Sequence, residues 1–505
     1  MLEDAVYSAR YAYLRLPDGL RVPLGAAYGA LPASVRHGRV YARWSAWLPR
    51  SEQLPRQDLD ELQWMRLKVT LSYAYQKVPW YGRLWAQYGL APRQIQSPSD
   101  LHLVPVTSKA DVRHNFEQFI STDARPRDVL PILTTGSTGA PTRIGYTRGV
   151  THAVEWAFIH SLWGRVGYRE NCKVAALRGA DLHGRRDGTP WMHDPSRNRW
   201  SYSSVDLSPA GCRRILRHMQ ATEPEFLHVF PSALTSLATT VCADGLESPL
   251  PSLRAILAGS ETIASWQIEV WRRAFGPKVK ILRWYGLTER AALAGSCEES
   301  LAYHVYPQYS YVELLHEPDE SSTDLSNDGS RAQRVIGTSF DNWVMPLIRY
   351  DTGDAAIAAS SECACGRPYR TLVDVVGRAN AWAQTRSGDW VPFTHIAAGI
   401  ETSEWAEVLR LQFMQEAPGR LQLLLVPATS TTRSQLEAMV AALRRTIGGQ
   451  FALGWDTVDS IDALPGGKHA YFVQHLSGPE LIPQTAVPRP RGPGAASAKT
   501  SMRQS

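Results

Sequence analysis

The sequence predicts an α/β fold with helices and strands arranged in several layers. Between residues 151 and 290, helical stretches alternate with short apolar runs at 172–177, 225–229, 254–257 and 279–283. Several of these runs end in a polar or glycine-bearing loop, which is where open α/β sheets place their ligands. After Gly377-Arg378 the character changes. Residues 421–426 read as a buried strand, 433–445 as an amphipathic helix and 451–461 as another strand.

The remaining elements follow in order. Residues 1–60 read as an N-terminal helical extension; its Tyr-, Trp- and Arg-rich part, 10–47, packs on the body or rests on a membrane surface or partner. Residues 61–78 are helical, with Leu62, Met65, Val69 and Tyr73 at helical spacing, until Pro79-Trp80-Tyr81 breaks the pattern. A further helix is capped at Ser108, with Asp111 in its first turn. Residues 316–333 are acidic and poor in apolar side chains, as in a hairpin or surface loop. Residues 483–505 are Pro/Gly/Ala/Ser-rich and basic, as in a disordered tail. No internal repeat is evident.

The chain has 505 residues, enough for a large core and a further domain. Its net charge of +6 is uneven: residues 1–50 carry seven Arg against three acids, and the tail after Glu480 carries four basic residues and no acid. The middle is slightly acidic, which argues against a nucleic-acid face. No apolar run reaches transmembrane length, and the N-terminus lacks a signal-peptide pattern. Six cysteines in so long a chain do not make a disulfide scaffold, so the expected setting is cytoplasmic.

Chemistry concentrates in four islands. Thr134-Thr135-Gly136-Ser137-Thr138-Gly139-Ala140-Pro141-Thr142 follows the apolar run 129–133. Two glycines and five hydroxyls let such a loop turn tightly and offer donors to phosphate, although a plain turn is the competing reading. It is not a Walker A loop, because Thr142-Arg143 stands where Gly-Lys-Ser/Thr would close it. Trp284-Tyr285-Gly286-Leu287-Thr288-Glu289 follows the strand-like 279–283. Arg349-Tyr350-Asp351-Thr352-Gly353-Asp354 precedes Val375-Val376-Gly377-Arg378, and Leu464-Pro465-Gly466-Gly467-Lys468 lies near the C-terminus.

In order and spacing the islands resemble the core motifs of the adenylate-forming, acyl-CoA synthetase-like superfamily, in its phenylacetate-CoA ligase and CapK-like branch. "LSYAYQKVPWYGRLW" near the N-terminus, "CACGRPYR" before "VVGR", and Thr142 where most of the superfamily carries lysine are similar to that branch. The resemblance runs from about residue 65 to 475. It implies a large multi-layer N-terminal domain over 61–378, a small mobile α+β domain over 379–476, and a tail over 477–505.

The resemblance also implies roles. Thr135, Gly136, Ser137, Thr138 and Gly139 would wrap the ATP phosphates, with Thr138 close to the chemistry. Glu289 would ligate Mg²⁺, a hard ion that favours carboxylate oxygens; a carboxylate at a helix N-terminus is the alternative. Tyr285, with Gly286 and Thr288, would hold adenine, and Asp354 would accept hydrogen bonds from two ribose hydroxyls. Arg378 would stand at the domain junction, where Asn380 replaces the usual hinge aspartate. Lys468 would stabilise charge as the carboxylate attacks the α-phosphate. Phe230, Pro231, Gly259 and Trp284 would wall the acid, and Ser260 and Glu261 the nucleotide.

Cys363-Ala364-Cys365-Gly366 is a tight thiolate pair, and Cys297 and His304 complete a tetrahedral zinc set that the branch also resembles. Cys172, Cys212 and Cys242 read as core. The function implied is ATP- and Mg²⁺-dependent activation of an aryl or other apolar acid to acyl-AMP, then transfer to CoA. An amine acceptor and a non-catalytic nucleotide-binding role are the alternatives. The partners are small molecules, and a homodimer is allowed for.

Overall fold

The computed structural model describes residues 12–13, 16–134, 142–178, 189–203, 207–315, 332–378, 382–388, 390–393, 396, 408–428, 431–461 and 470–476. The chain opens with helices α1 (Asp18–Gly29), α2 (Gly38–Ser51) and α3 (Arg56–Lys77). Tyr41, Trp44 and Leu48, three and four residues apart, make one buried stripe on α2. They pack on α4 (Thr151–Gly164), with Trp44 and Phe158 ring centroids 5.2 Å apart. Glu170 adds a polar fastener, meeting Arg36, His37 and His160. The extension is therefore packed onto the body.

Helix α3 exists as expected but presents a different face. Leu59, Leu67, Thr70, Leu71 and Ala74 are buried, whereas Met65 and Val69 are 57% and 54% exposed. The winning stripe is the one that continues through Val78 and, past Pro79, into Tyr81 and Trp85, all in one core cluster. Ser108 caps the short helix Lys109–His114, accepting from the Asp111 N–H while the Asp111 carboxylate accepts from the Ser108 N–H.

Strands β1 (Val129–Leu133) and β2 (Arg143–Thr147) form an antiparallel hairpin of their own. The main sheet has twelve strands. β3 (Val174–Leu177), β4 (Trp191–Asp194), β5 (Arg199–Tyr202), β6 (Phe226–Val229), β7 (Ala255–Gly259) and β8 (Lys280–Gly286) form one half. β9 (Leu293–Ser296), β10 (Tyr303–Val305), β11 (Ser310–Leu315), β12 (Gln333–Ser339), β13 (Tyr350–Ala358) and β14 (Arg370–Arg378) form the other. The order is β4-β5-β3-β6-β7-β8-β9-β10-β14-β13-β12-β11. Neighbours from β5 to β8 are parallel, and every other pairing is antiparallel.

Alternation along the parallel strands divides the core into two layers. Val174, Phe226, Ala255, Leu257 and Leu282 pack with α4. Ala175, Leu227, Val229, Ile256, Ala258 and Ile281 pack with α5 (Pro209–Thr222), α6 (Pro231–Ala243) and α7 (Ser265–Phe275). Cys212 belongs to this core, but Cys172 and Cys242 are only half-buried.

Beyond β14, β15 (Trp382–Gln384) and β16 (Trp390–Pro392) pair, and a separate four-stranded sheet follows. Its order is β19-β18-β17-β20, from β17 (Val408–Ala417), β18 (Arg420–Pro427), β19 (Ala452–Thr457) and β20 (Phe472–Gln474). Helix α8 (Arg433–Ile447) contributes Leu436, Met439, Val440 and Leu443 to its core. Only Leu421, Leu423 and Leu425 of β18 are buried, so this strand is one-sided rather than buried throughout. β19 stops at Thr457, short of the expected 461. This unit docks on α7, where Gln267 donates to the Tyr471 hydroxyl at 3.2 Å and Trp266 meets the Tyr471 ring edge-on. Residues 316–331 and 477–505 lie outside the described residues. Among the described residues no helix is long and apolar enough to cross a membrane.

Candidate active site

Two of the islands, 284–289 and 349–354, meet where the parallel half of the sheet gives way to the antiparallel half. Tyr285, on the last turn of β8, donates its hydroxyl to Asp354 Oδ2 at 2.9 Å. Four strand spacings separate β8 from β13 along the ladder, about 19 Å in a flat sheet. The contact exists because the antiparallel half twists and curls back over β8. Asp354 is buried, its N–H donates to Thr352 Oγ1, and its rung partner on β14 is Arg378.

Glu289 is 3% exposed. The Tyr350 hydroxyl donates to its Oε1 at 3.0 Å and Lys109 Nζ lies 3.6 Å from the same atom. No helix follows it; the next element is β9, so the helix N-terminal alternative is corrected. Arg290, the next residue, holds φ at 59°, a conformation that costs a non-glycine residue about 1–3 kcal/mol. An ion pair to Glu155 holds it there, and Tyr309 donates to the same carboxylate. Tyr146 donates to the Thr288 carbonyl.

On the neighbouring parallel strands, Phe230 precedes α6 and Pro231 opens it. The N–H and hydroxyl of Ser232 donate to the Glu261 carboxylate at 2.8 and 3.0 Å. Glu261 thus sits at the positive end of α6, a placement worth roughly 0.3–1 kcal/mol. A Cβ at Gly259 would come within 2.6 Å of the Trp284 indole, so the ring lies directly on that backbone. Trp163 and His228 pack against the same indole. Burial, with Arg178 next in effect, holds the His228 imidazole far below its usual pKa and therefore neutral.

Cys297, His304, Cys363 and Cys365 form a second centre. His304 lies on β10, Cys297 just after β9, and the β13–β14 connection folds both other thiols onto them. All four ligand atoms lie within 4.8 Å of one another. The Cys365 Sγ–His304 Nε2 distance is 3.6 Å. Tetrahedral zinc with bonds of about 2.3 Å to sulfur and about 2.05 Å to nitrogen gives about 3.6 Å for that edge. Burial, then Arg165 and Arg367, pushes His304 down to about 4, so it presents a neutral imidazole. Burial opposes ionisation of Cys363, yet hydrogen bonds led by Ser300 hold its thiol below the usual value; burial pushes Cys365 up.

Thr134 and Thr142 close the base of the first island: the Thr134 N–H donates to the Thr142 carbonyl and the Thr142 N–H to Thr134 Oγ1, both at 2.9 Å. Thr135, Gly136, Ser137, Thr138 and Gly139, and likewise Asn380 and Lys468, lie outside the described residues. For Arg378 only the backbone is described. Three residues escaped the sequence reading. Tyr350 stood inside a quoted motif without a role, Lys109 followed a recognised cap, and Arg178 followed a recognised apolar run.

No family model matches the chain. It is 27% identical over 336 residues to a phenylacetate-coenzyme A ligase of Thermus thermophilus, covering 66% of this chain and 73% of that one. It is 26% identical over 321 residues to a phenylacetate-coenzyme A ligase of Pseudomonas putida, covering 62% and 69%. Its fold is similar to that of a 2-hydroxyisobutyryl-CoA ligase in the postadenylation state, with a TM-score of 0.64 and 19% identity over 84% of this chain and 91% of that one. These likenesses relate the chain in sequence to curated phenylacetate-coenzyme A ligases and in fold to an adenylate-forming CoA ligase.

Proposed function

We propose that the protein joins a carboxylic acid of aryl or other apolar character to AMP, using ATP, and then passes the acyl group to CoA. The observation that carries this reading is the Tyr285–Asp354 contact, with Glu289 of the same motif buried and held by Tyr350. A carboxylate cannot expel oxide, so attack on the α-phosphorus of ATP supplies a better leaving group. Asp354, an acceptor with several lone pairs, suits the two ribose hydroxyls, and Tyr285 offers its ring to adenine. Glu289 would hold Mg²⁺, which neutralises phosphate charge, while sharing its carboxylate with Tyr350 and Lys109. The 135–139 backbone would hold the β- and γ-phosphates, and Lys468 would meet charge that develops only as the new bond forms. Phe230, Gly259 and Trp284 would wall the acid. Cys297, His304, Cys363 and Cys365 would hold a closed structural zinc.

Acid-dependent exchange of pyrophosphate into ATP tests the first half-reaction, repeated with CoA and with amines to follow the product. A panel of aryl and alkyl acids that gives no exchange removes the reading. Exchange with acyl transfer to amines and none to CoA replaces the second half.

A further inference from the structure

Arg178 directly follows β3, at the carboxyl end of the parallel strands. Its guanidinium carbon lies 4.6 Å from the Phe230 ring centroid and 5.4 Å from that of Trp284. Nη2 donates to Ser260 Oγ at 2.7 Å. Nη1 is shielded from solvent and has no hydrogen-bond partner among the described residues. No carboxylate among them pairs with Arg178 within 4 Å. Glu261 is the nearest compensating charge, and Ser232 already donates to it twice. Burial pulls the guanidinium down to about 10, with Glu261 acting the other way.

A half-buried cation facing two aromatic rings, with its buried Nη1 donor left over among the described residues, is costly: an unsatisfied buried polar group alone costs about 1–3 kcal/mol. Core packing does not ask for it, since a methionine would fill the same length between two rings. The missing component is an acceptor oxygen brought by a ligand. The ring walls favour a flat body, against which a guanidinium also stacks. β3 lies three strand spacings from β8, about 14 Å, and the Arg178 side chain reaches across part of that distance to the Trp284 ring on β8.

We propose that Arg178 is a specificity-determining residue and that the substrate is an aromatic carboxylic acid bearing a second oxygen acceptor, hydroxyl or carboxylate, within reach of the guanidinium. This rests on the acid-activating reading above and narrows its substrate class. The Ser260 contact leaves one guanidinium edge free, which matches a single substituent better than an extended polar chain.

The test compares phenylacetate, 4-hydroxyphenylacetate and 4-carboxyphenylacetate on the full chain, and on Arg178→Met and Arg178→Lys. Pyrophosphate exchange reads kcat/KM, and calorimetry reads acid binding without turnover. The wild type favours one substituted acid by at least about tenfold in both measurements. Arg178→Met brings that ratio to within about twofold of one, and Arg178→Lys restores part of it. The better of the two substituted acids identifies the acceptor. A preference unchanged in Arg178→Met, a wild-type preference for phenylacetate, or no binding of any acid overturns the proposal. So does a rise in the KM for ATP that is equal for all acids, which would assign Arg178 to phosphate. Preferential binding lost in Arg178→Met without any exchange supports the proposal and removes the acid-activating reading instead.

Discussion

Replacing Tyr285 by phenylalanine removes one oxygen and leaves the ring that would face adenine. The lost bond is 2.9 Å long and ends on a carboxylate that is 8% exposed, so water replaces it poorly. Hydrogen bonds to charged groups contribute about 1.5–3 kcal/mol. Asp354 keeps its backbone anchor through Thr352, so the lower end of that range applies to its orientation, about 1.5 kcal/mol or about tenfold. If Asp354 holds ribose, Tyr285→Phe raises the KM for ATP about tenfold in pyrophosphate exchange while kcat changes much less. Asp354→Asn has a larger effect, and the double variant falls short of the sum, because both changes break one contact. Strict additivity, or an unchanged KM for ATP in Tyr285→Phe, refutes the assignment.

Three further outcomes are expected. Gly259→Ala pushes a methyl group into the Trp284 indole; overpacking of this kind costs about 1–3 kcal/mol, read as a lower thermal midpoint and a raised KM for the acid, and an unchanged pair of values contradicts the contact. Cys365→Ser opens the four-ligand set, so elemental analysis of the purified variant gives well under the wild-type zinc; equal zinc in both removes the site. His228 is neutral in the fold and takes a proton on unfolding below its ordinary value of about 6.5. The unfolded state then binds more protons, so stability is full above about pH 6.5 and falls as pH drops, by up to about 1.4 kcal/mol per pH unit for this group. Urea midpoints from pH 7 to 5 fall less steeply in His228→Asn, and parallel slopes refute the assignment.

The features legible from sequence were those whose chemistry is local. Several of the runs that became β3, β6, β7 and β8 end in a polar or glycine-bearing loop, and Cys363-Ala364-Cys365 is a thiolate pair that points to a metal once Cys297 and His304 are set beside it. Tyr285 and Asp354 could be named separately, but their contact depends on the curl of the antiparallel half, which no local pattern encodes. The face of α3 was misjudged because two neighbouring stripes both carry apolar residues, and only the cores on either side decide between them. Arg178 was passed over for the same reason. An arginine after a short strand is ordinary until the sheet order sets Phe230, Ser260 and Trp284 around it.

The last rung shared by β13 and β14 joins Asp354 to Arg378, after which the chain leaves for the C-terminal sheet. Torque applied to that departing segment is therefore delivered first to the backbone of the residue whose carboxylate Tyr285 grips. If Asp354 holds ribose as proposed, a turn of the C-terminal unit would bear on that grip through this ladder step.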